Sequence, residues 1–177
     1  KIKKIKFTNK HKLSTTNRDN LKITENQTFD EYYSSAITAS KELHKLFGRA
    51  FKLRSVSAGG CNSCELELNA CSNVNFDMQR FGIEIVASPR HADAIVITGP
   101  ITKHMASALL DTYNATPAPK LIILVGACAI SAGVFADSSE IDRSFLENFT
   151  PDLYIPGCPA HPLTIINGII DYLKINE

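Results

Sequence analysis

The chain has 177 residues, of which 44% are hydrophobic and 21% are charged, and its formal net charge is +1. This length and balance suit one globular domain with a full hydrophobic core. The longest apolar runs, at 94–98 and 121–125, are much shorter than the roughly 20 residues that cross a bilayer. The sequence therefore predicts no membrane-spanning helix.

Charge is unevenly distributed along the chain. Residues 1–60 contain 13 Lys or Arg and 5 Asp or Glu, whereas residues 61–177 contain 6 and 13. A solvated or disordered tail is one explanation of the basic start, and an extension that faces lipid or another subunit is the other. No basic motif interleaved with aromatic residues follows, so we expect no nucleic-acid binding.

Two predicted elements precede the main domain. Residues 1–27 are rich in Lys, Asn and Thr, show no clear periodicity, and are expected to form an extended or weakly ordered basic arm. Thr28 and Glu31 then form a capping-box pattern, and apolar or small residues recur at helical spacing as far as Phe47. The sequence therefore predicts an amphipathic helix over residues 28–49.

Strands and helices alternate through the rest of the chain. The predicted strands are FKLRSVSA, GIEIVAS, ADAIVITG, KLIILVGA and LYIPG, and the predicted helices are residues 62–74, 101–115 and 162–174. Such alternation is typical of an α/β domain with a mostly parallel sheet.

Four of the five cysteines follow predicted strands. Cys61 and Cys64 stand at the start of the helix after the first strand, and Cys128 and Cys158 follow the last two strands. The carboxyl ends of parallel strands share one edge of a sheet, so we expect these four residues to converge. Cys71 has no glycine or proline loop of its own and is expected to be a buried thiol.

Several kinds of site use such thiolates. Structural zinc takes four sulfurs, usually as two close pairs, but here only Cys61 and Cys64 form a close pair. A redox dithiol of the CxxC type would leave Cys128 and Cys158 unexplained. An iron–sulfur cluster of the four-iron type tolerates cysteines from separate loops, and the Gly and Pro residues in each loop favour it.

Four motifs carry a resemblance to a known family. GGCNSCELEL, SPRHADAIVITGPIT, GACAISAGVF and YIPGCPAHP occur in this order within about residues 50–173. Together they resemble the small, cluster-carrying subunit of nickel–iron hydrogenases, in particular the membrane-bound group with formate hydrogenlyase. That group is itself similar to the 20-kDa subunit of complex I. The resemblance implies a flavodoxin-like domain over residues 50–177, with one 4Fe–4S cluster carried by Cys61, Cys64, Cys128 and Cys158.

The resemblance also implies a function. It suggests an electron-transfer subunit of a multi-subunit oxidoreductase, not catalytic alone, that relays electrons between a ferredoxin-like subunit and the nickel–iron site of a hydrogenase large subunit. Such a hydrogen-evolving complex has integral membrane subunits, so a peripheral position on the cytoplasmic face of the cell membrane is expected. The alternatives are a cluster subunit of a complex I-type quinone oxidoreductase, and a structural zinc or scaffold subunit.

Two features favour the hydrogenase group among these alternatives. The complex I version carries adjacent cysteines, whereas this chain has Ser63 before Cys64 and its first ligand at Cys61. The sequence also ends without ligands for the two further clusters of uptake hydrogenase small subunits, which favours the membrane-bound evolving group.

The resemblance also gives expectations for the polar residues near the motifs. Glu67 falls where the family keeps an acid near the cluster, so it is expected either in a proton path or as the cap of a buried polar network. Glu65 is expected to be an exposed helix carboxylate. Arg90 and His91 are expected either near the cluster and the subunit interface or in local pairing. His161 is expected near the cluster but not as a ligand.

Overall fold

The computed structural model describes residues 12–22, 37, 45–47 and 50–173. A five-stranded sheet forms its centre, with strands β1 Phe51–Ser57, β2 Ile83–Ile85, β3 Ala94–Thr98, β4 Leu121–Val125 and β5 Leu153–Ile155. The strands are all parallel and lie in the order β2-β1-β3-β4-β5. This is the strand order of the flavodoxin-like doubly wound sheet. The α/β, flavodoxin-like class expected from the sequence is confirmed.

Helices flank this sheet on both faces. They are α1 Ser63–Ala70, α2 Lys103–Ala115, α3 Ala127–Ser131, α4 Ser144–Asn148 and α5 Pro162–Leu173. α2 and α5 lie within the predicted ranges. α3 and α4 were not predicted, because a helix of five residues is too short to leave a periodic apolar pattern.

The first helix is shorter than predicted. The sequence placed it over residues 62–74, whereas α1 ends at Ala70. The side-chain Oδ1 of Asn73 accepts hydrogen bonds from the backbone N–H groups of Asn75 and Phe76, at 3.0 and 3.2 Å. An asparagine side chain that binds nearby backbone groups stabilises a turn in place of further helix.

β3 and β4 are buried along their whole length. Alternate side chains enter two apolar clusters, so that Val96 packs on the face of α1 and α5 while Ile95 packs on the face of α2, α3 and α4. Burial on both faces explains why these two strands read as nearly continuous apolar runs in the sequence.

Two aspartates fasten the amino-terminal edge of the sheet. Asp93 and Asp152 stand directly before β3 and β5, and each accepts a 2.8 Å hydrogen bond from a backbone N–H of a neighbouring strand, those of Lys52 and Ile122 respectively. The starts of the strands are therefore held in register by side chains as well as by the backbone hydrogen bonds between strands.

An amino-terminal segment lies along the free edge of β5. We call residues 12–22 the arm segment. The backbones of Thr15 and Tyr154 exchange two hydrogen bonds of 3.0 and 2.8 Å in an antiparallel bridge. Ser14 packs against Gly168 of α5, where a Cβ would overlap its side chain. The arm segment therefore covers an edge that would otherwise present unpaired backbone groups.

The predicted amphipathic helix lies mostly outside the described residues. Of residues 28–49, the structure describes only 37 and 45–47, and the latter three are helical. The prediction of a helix over the whole range therefore stays a prediction. Within the part of the chain that is described, no helix is long and apolar enough to cross a membrane.

Candidate functional site

The carboxyl ends of the parallel strands form the edge of the sheet that carries the cysteines, here called the cysteine edge. Cys61 and Cys64 follow β1, Cys128 lies in α3 directly after β4, and Cys158 follows β5. Topology alone therefore places these four residues at one edge, as the sequence predicted.

Glycine backbones allow the loops of this edge to approach one another closely. Gly126 has φ of 89°, and a Cβ there would lie 2.5 Å from the Cys64 sulfur. A Cβ on Gly60 would lie 3.0 Å from the Cα of Gly99, so the loops after β1 and β3 also touch. The loop after β4 is tied to the loop after β5, since the Ala127 N–H donates to the Gly157 carbonyl at 2.8 Å.

The thiols at this edge influence one another electrostatically. Burial raises the pKa of Cys64, and the nearby Glu65 carboxylate and the sulfurs of Cys128 and Cys158 raise it further. Burial also raises the pKa of Cys128, with added contributions from Cys158 and Cys61. Mutual repulsion between thiolates of this kind is relieved when a cation or a metal cluster binds them.

Cys61 has a different environment from the other thiols. It is exposed, and its sulfur lies 3.3 Å from the Ser63 hydroxyl. The hydrogen bond with Ser63 lowers the pKa of Cys61. The residue that precedes Cys64 therefore contacts the first cysteine of the pair.

Cys71 is separate from the cysteine edge. It is fully buried in the apolar cluster beneath α1 and α5, where burial raises its pKa to about 12. Its sulfur lies 3.2 Å from the Glu67 carbonyl and 3.8 Å from the Pro162 carbonyl, so the thiol donates to backbone groups. These contacts are those of a buried structural thiol.

Glu65 corrects an expectation from the sequence. We expected an exposed carboxylate, but its Oε1 accepts hydrogen bonds from the Ser57 hydroxyl at 2.6 Å and the Thr98 hydroxyl at 2.7 Å. Ser57 and Thr98 are the last residues of β1 and β3. The helix that carries Cys64 is therefore tied through Glu65 to β1 and β3, the two neighbouring strands between which the strand order reverses.

The other polar residues singled out by the sequence lie in varied places. Glu67 is half-buried on α1, and within the described ranges its carboxylate accepts no hydrogen bond. His161 accepts through Nδ1 from the Leu163 N–H at 3.2 Å and stacks edge-on against Phe76. His161 therefore caps the start of α5.

Arg90 and His91 lie at the edge opposite the cysteines. Their short 3-10 helix, Pro89–His91, directly precedes β3, and both side chains are exposed. The expectation that they lie near the cysteines is wrong, because the turn must return the chain to the amino-terminal edge before a parallel strand can begin.

Arg143 contacts this site and was missed by the sequence analysis. Its guanidinium donates to the Ala129 and Ile130 carbonyls, both at 3.0 Å, and makes longer contacts to the Cys128 and Pro100 carbonyls. No local motif marks this arginine, because every one of these contacts joins residues at least 13 positions apart.

Over residues 12–22, 37, 45–47 and 50–173, no group of three or more His, Cys, Asp or Glu side chains is arranged to hold one metal ion.

The fold and the site together define a flavodoxin-like α/β protein whose parallel sheet presents four cysteines at its carboxyl edge. Comparison with known proteins gives its family. The model of the family described as NADH ubiquinone oxidoreductase, 20 Kd subunit, matches residues 61–172, and the chain belongs to this family.

Relatives occur in more than one type of oxidoreductase complex. A probable membrane-bound hydrogenase subunit of Pyrococcus furiosus is 36% identical over 73% of this chain and 77% of its own length. Subunit 7 of the Escherichia coli formate hydrogenlyase is 39% identical over 85% of this chain and 58% of its own length. Subunit K of a NAD(P)H-quinone oxidoreductase from Picosynechococcus is 41% identical over 65% of this chain and 48% of its own length. The resemblance drawn from the four motifs is confirmed.

A solved structure has a similar fold. The chain aligns with a subunit of the membrane-bound sulfane sulfur reductase, an archaeal respiratory membrane complex, with a TM-score of 0.64 and 25% identity. The alignment covers 76% of this chain and 74% of that one.

Proposed function

We propose that this protein is an electron-transfer subunit that carries one 4Fe–4S cluster on Cys61, Cys64, Cys128 and Cys158. It relays electrons between a ferredoxin-like subunit and the nickel–iron site of a hydrogenase large subunit, in a hydrogen-evolving complex. The observation that carries the proposal is the placement of these four cysteines, from three separate loops, at one edge of the sheet.

The residues of the cysteine edge fit a cluster of this kind. Four thiols are the donor set that a four-iron cluster takes, and separate loops suit its four corners. Gly126 leaves the Cys64 sulfur free of overlap, and a Cβ on Gly133 would lie 3.2 Å from the Cys128 sulfur. Small residues therefore stand where side chains would crowd the sulfurs.

A bound cluster supplies one-electron transfer at this edge. The chain contributes the thiolates and the positive ends of helices. α1 and α5 both begin at the cysteine edge, so their amino-terminal dipoles favour the negative charge of a thiolate-bound cluster.

A set of exposed apolar side chains, here called the apolar rim, suits a partner subunit. The rim consists of residues that follow the cysteines closely in sequence yet are open to solvent, namely Leu66 (60% exposed), Val134 (90%), Phe135 (41%) and Leu163 (50%). Burial of such a surface against another protein is favourable. We assign this rim to the hydrogenase large subunit, with the ferredoxin-like subunit and the integral membrane subunits as further partners in a complex on the cytoplasmic face of the cell membrane.

The rival function is that of a cluster subunit of a complex I-type quinone oxidoreductase. The relative in the NAD(P)H-quinone oxidoreductase favours it, because its identity of 41% is no lower than that of the hydrogenase relatives. The spacing of Cys61 and Cys64, with Ser63 between them, favours the hydrogenase reading. Glu67, three residues past Cys64, stays a candidate for a proton path in either case.

Metal analysis of the purified complex separates the two functions. The proposal predicts iron and acid-labile sulfide in this chain, nickel in the large subunit, and hydrogen evolution with a low-potential donor. A complex without nickel that reduces quinone instead, with sensitivity to quinone-site inhibitors, would assign the protein to the rival class. Zinc in place of iron in this chain would reject both.

A further inference from the structure

The guanidinium of Arg143 lies at the carboxyl end of α3, the short helix that carries Cys128. Nη2 donates to the Ala129 and Ile130 carbonyls, both at 3.0 Å, and Nη1 lies 3.4 Å from the Cys128 carbonyl and 3.5 Å from the Pro100 carbonyl. One side chain thus binds successive carbonyls of a helix end and reaches a second loop.

A long-range pairing brings Arg143 to this position. Thr102 and Ile141 form an antiparallel bridge, the Lys103 N–H donates to the Glu140 carbonyl at 2.9 Å, and the Asp142 N–H donates to the Ile101 carbonyl at 2.9 Å. The residues just before Arg143 are therefore fixed to the loop after β3. The arginine has a defined backbone from which to reach α3.

The charge of Arg143 is not neutralised locally. The side chain is half-buried, and in the part of the chain that the structure describes it forms no ion pair. Backbone carbonyls accept from Nη1 and Nη2 but carry no net charge, so they do not compensate the positive charge of the side chain. A half-buried cation acts over several ångströms with less screening than an exposed one.

We propose that Arg143 is a positioning residue for the cluster site, in two respects. Its hydrogen bonds hold the turn that presents Cys128, and its charge raises the reduction potential of the cluster by stabilising the more negative, reduced form. The proposal rests on the proposed function, since the second effect needs a cluster on the four cysteines. Net charge near a cluster is one of the established determinants of its potential.

Three variants of the 177-residue chain separate the two effects. Arg143→Gln removes the positive charge and the two Nη groups that donate to several carbonyls at once. Arg143→Lys keeps the positive charge but has a single ammonium group in place of the two Nη groups. Arg90→Gln, the control, removes an exposed arginine from the opposite edge of the sheet. Two quantities are measured: amide hydrogen exchange in the cluster-free chain, and the midpoint potential of the reconstituted chain by a redox titration followed by electron paramagnetic resonance.

The informative amide is that of Ala132, which donates to the Cys128 carbonyl at 2.8 Å. In Arg143→Gln and Arg143→Lys it should exchange roughly tenfold faster, which corresponds to about 1.4 kcal/mol, while the amides of β2 stay unchanged. The midpoint potential should fall in Arg143→Gln and stay at the wild-type value in Arg143→Lys and Arg90→Gln.

An unchanged potential or an unchanged Ala132 exchange rate in Arg143→Gln overturns the proposal. So does a potential that falls as far in Arg143→Lys as in Arg143→Gln, because charge is then not the cause. Should Arg143→Gln take up no iron, Arg143→Lys decides: faster exchange at the wild-type potential supports the proposal, and a lowered potential overturns it. A wild-type chain that binds no iron and sulfide defeats the proposed function instead, and the exchange rates alone then decide the positioning role.

Discussion

The Glu65 carboxylate and the Thr98 hydroxyl are joined by a hydrogen bond of 2.7 Å, although 33 positions separate them in the sequence. Ser57 donates to the same carboxylate oxygen at 2.6 Å. Both distances are short, as expected for hydroxyl donors on an ionised acceptor. Glu65 follows Cys64 directly, so this pair of bonds fixes the first turn of α1 to the ends of two strands.

A double-mutant cycle measures this connection. Glu65→Ala and Thr98→Val should each lower the free energy of unfolding by about 1–3 kcal/mol, because each leaves a polar partner without its bond. The combined variant should lose less than the sum, with a coupling energy of about 1 kcal/mol or more in urea unfolding. Thr112→Val is the control, because the hydroxyl of Thr112 makes only a solvent-exposed bond to the Ala108 carbonyl within α2, and it should change stability by less than about 0.5 kcal/mol. Strict additivity of the two changes would show that the bond contributes nothing.

Single cysteine substitutions test the ligand set. Cys128→Ser and Cys158→Ser should lose most of the iron and acid-labile sulfide of the purified chain, as should the same change at Cys61 or Cys64, because a hydroxyl is a poor substitute for a thiolate. Cys71→Ala should keep the full cluster and lose about 1–2 kcal/mol of stability through lost packing. A chain that keeps its iron without Cys128 but loses it without Cys71 would contradict the assignment.

A glycine substitution tests the close approach at the site. Gly126→Ala places a Cβ 2.5 Å from the Cys64 sulfur and also strains a backbone with φ of 89°. Gly82→Ala is the matched control, since its φ is 75° and it lies beside β2, away from the cysteines. Both should cost about 1–3 kcal/mol of stability, but only Gly126→Ala should also reduce iron content. Equal iron content in the two variants would mean that the site has room to adjust.

A larger residue at position 168, combined with a smaller one at position 14, tests the packing of the arm segment on α5. Gly168→Ala adds a methyl group where the Ser14 side chain lies, so the arm segment should detach and trypsin should cleave it at Arg18 or Lys22 more rapidly. Ser14→Gly in the same chain removes the overlap and should restore resistance. If the arm segment of Gly168→Ala alone stays resistant to trypsin, then the arm segment and α5 can move apart without loss of the Thr15–Tyr154 bridge.

Asp152 is expected to make the free energy of unfolding depend on pH, in a direction that follows from its raised pKa. Burial raises the pKa of Asp152, so the folded state holds its proton more tightly than the unfolded chain. Its contribution to stability is full below the ordinary pKa of an aspartate and is lost as the pH rises through the folded-state value. Asp152→Asn still accepts from Ile122, so the variant should gain stability relative to the wild type between about pH 4 and 7 in chemical unfolding.

Asp142 is the contrasting control for that experiment. The hydrogen bond from Ser144 lowers the pKa of Asp142, so its contribution is present at neutral pH and is lost as the pH falls through the folded-state value. Asp142→Asn should therefore lose stability at neutral pH. A wild-type chain whose difference from Asp152→Asn does not vary with pH would contradict the assigned direction.

Features with a local signal were predictable from the sequence. The β3 and β4 runs are apolar throughout because both faces are buried, and the cysteines follow strand ends, so the parallel sheet and its cysteine edge could be predicted. The role of Glu65 could not, because its partners lie on β1 and β3, and a carboxylate near the start of a helix is usually exposed. The contacts of Arg143 and the Thr15–Tyr154 bridge also join distant parts of the chain, and no local sequence pattern predicts them.

The burial of Cys71 also bears on how the site is assembled. A newly made chain has five thiols, and an incorrect choice among them would trap iron in a misfolded arrangement. Once the core has formed, Cys71 is fully buried, whereas the four thiols of the cysteine edge are exposed or half-buried, so only those four stay open to an incoming metal. With the ligand set proposed above, folding before iron delivery would leave only those four sulfurs to bind iron, and the order of the two steps would decide the fidelity of maturation.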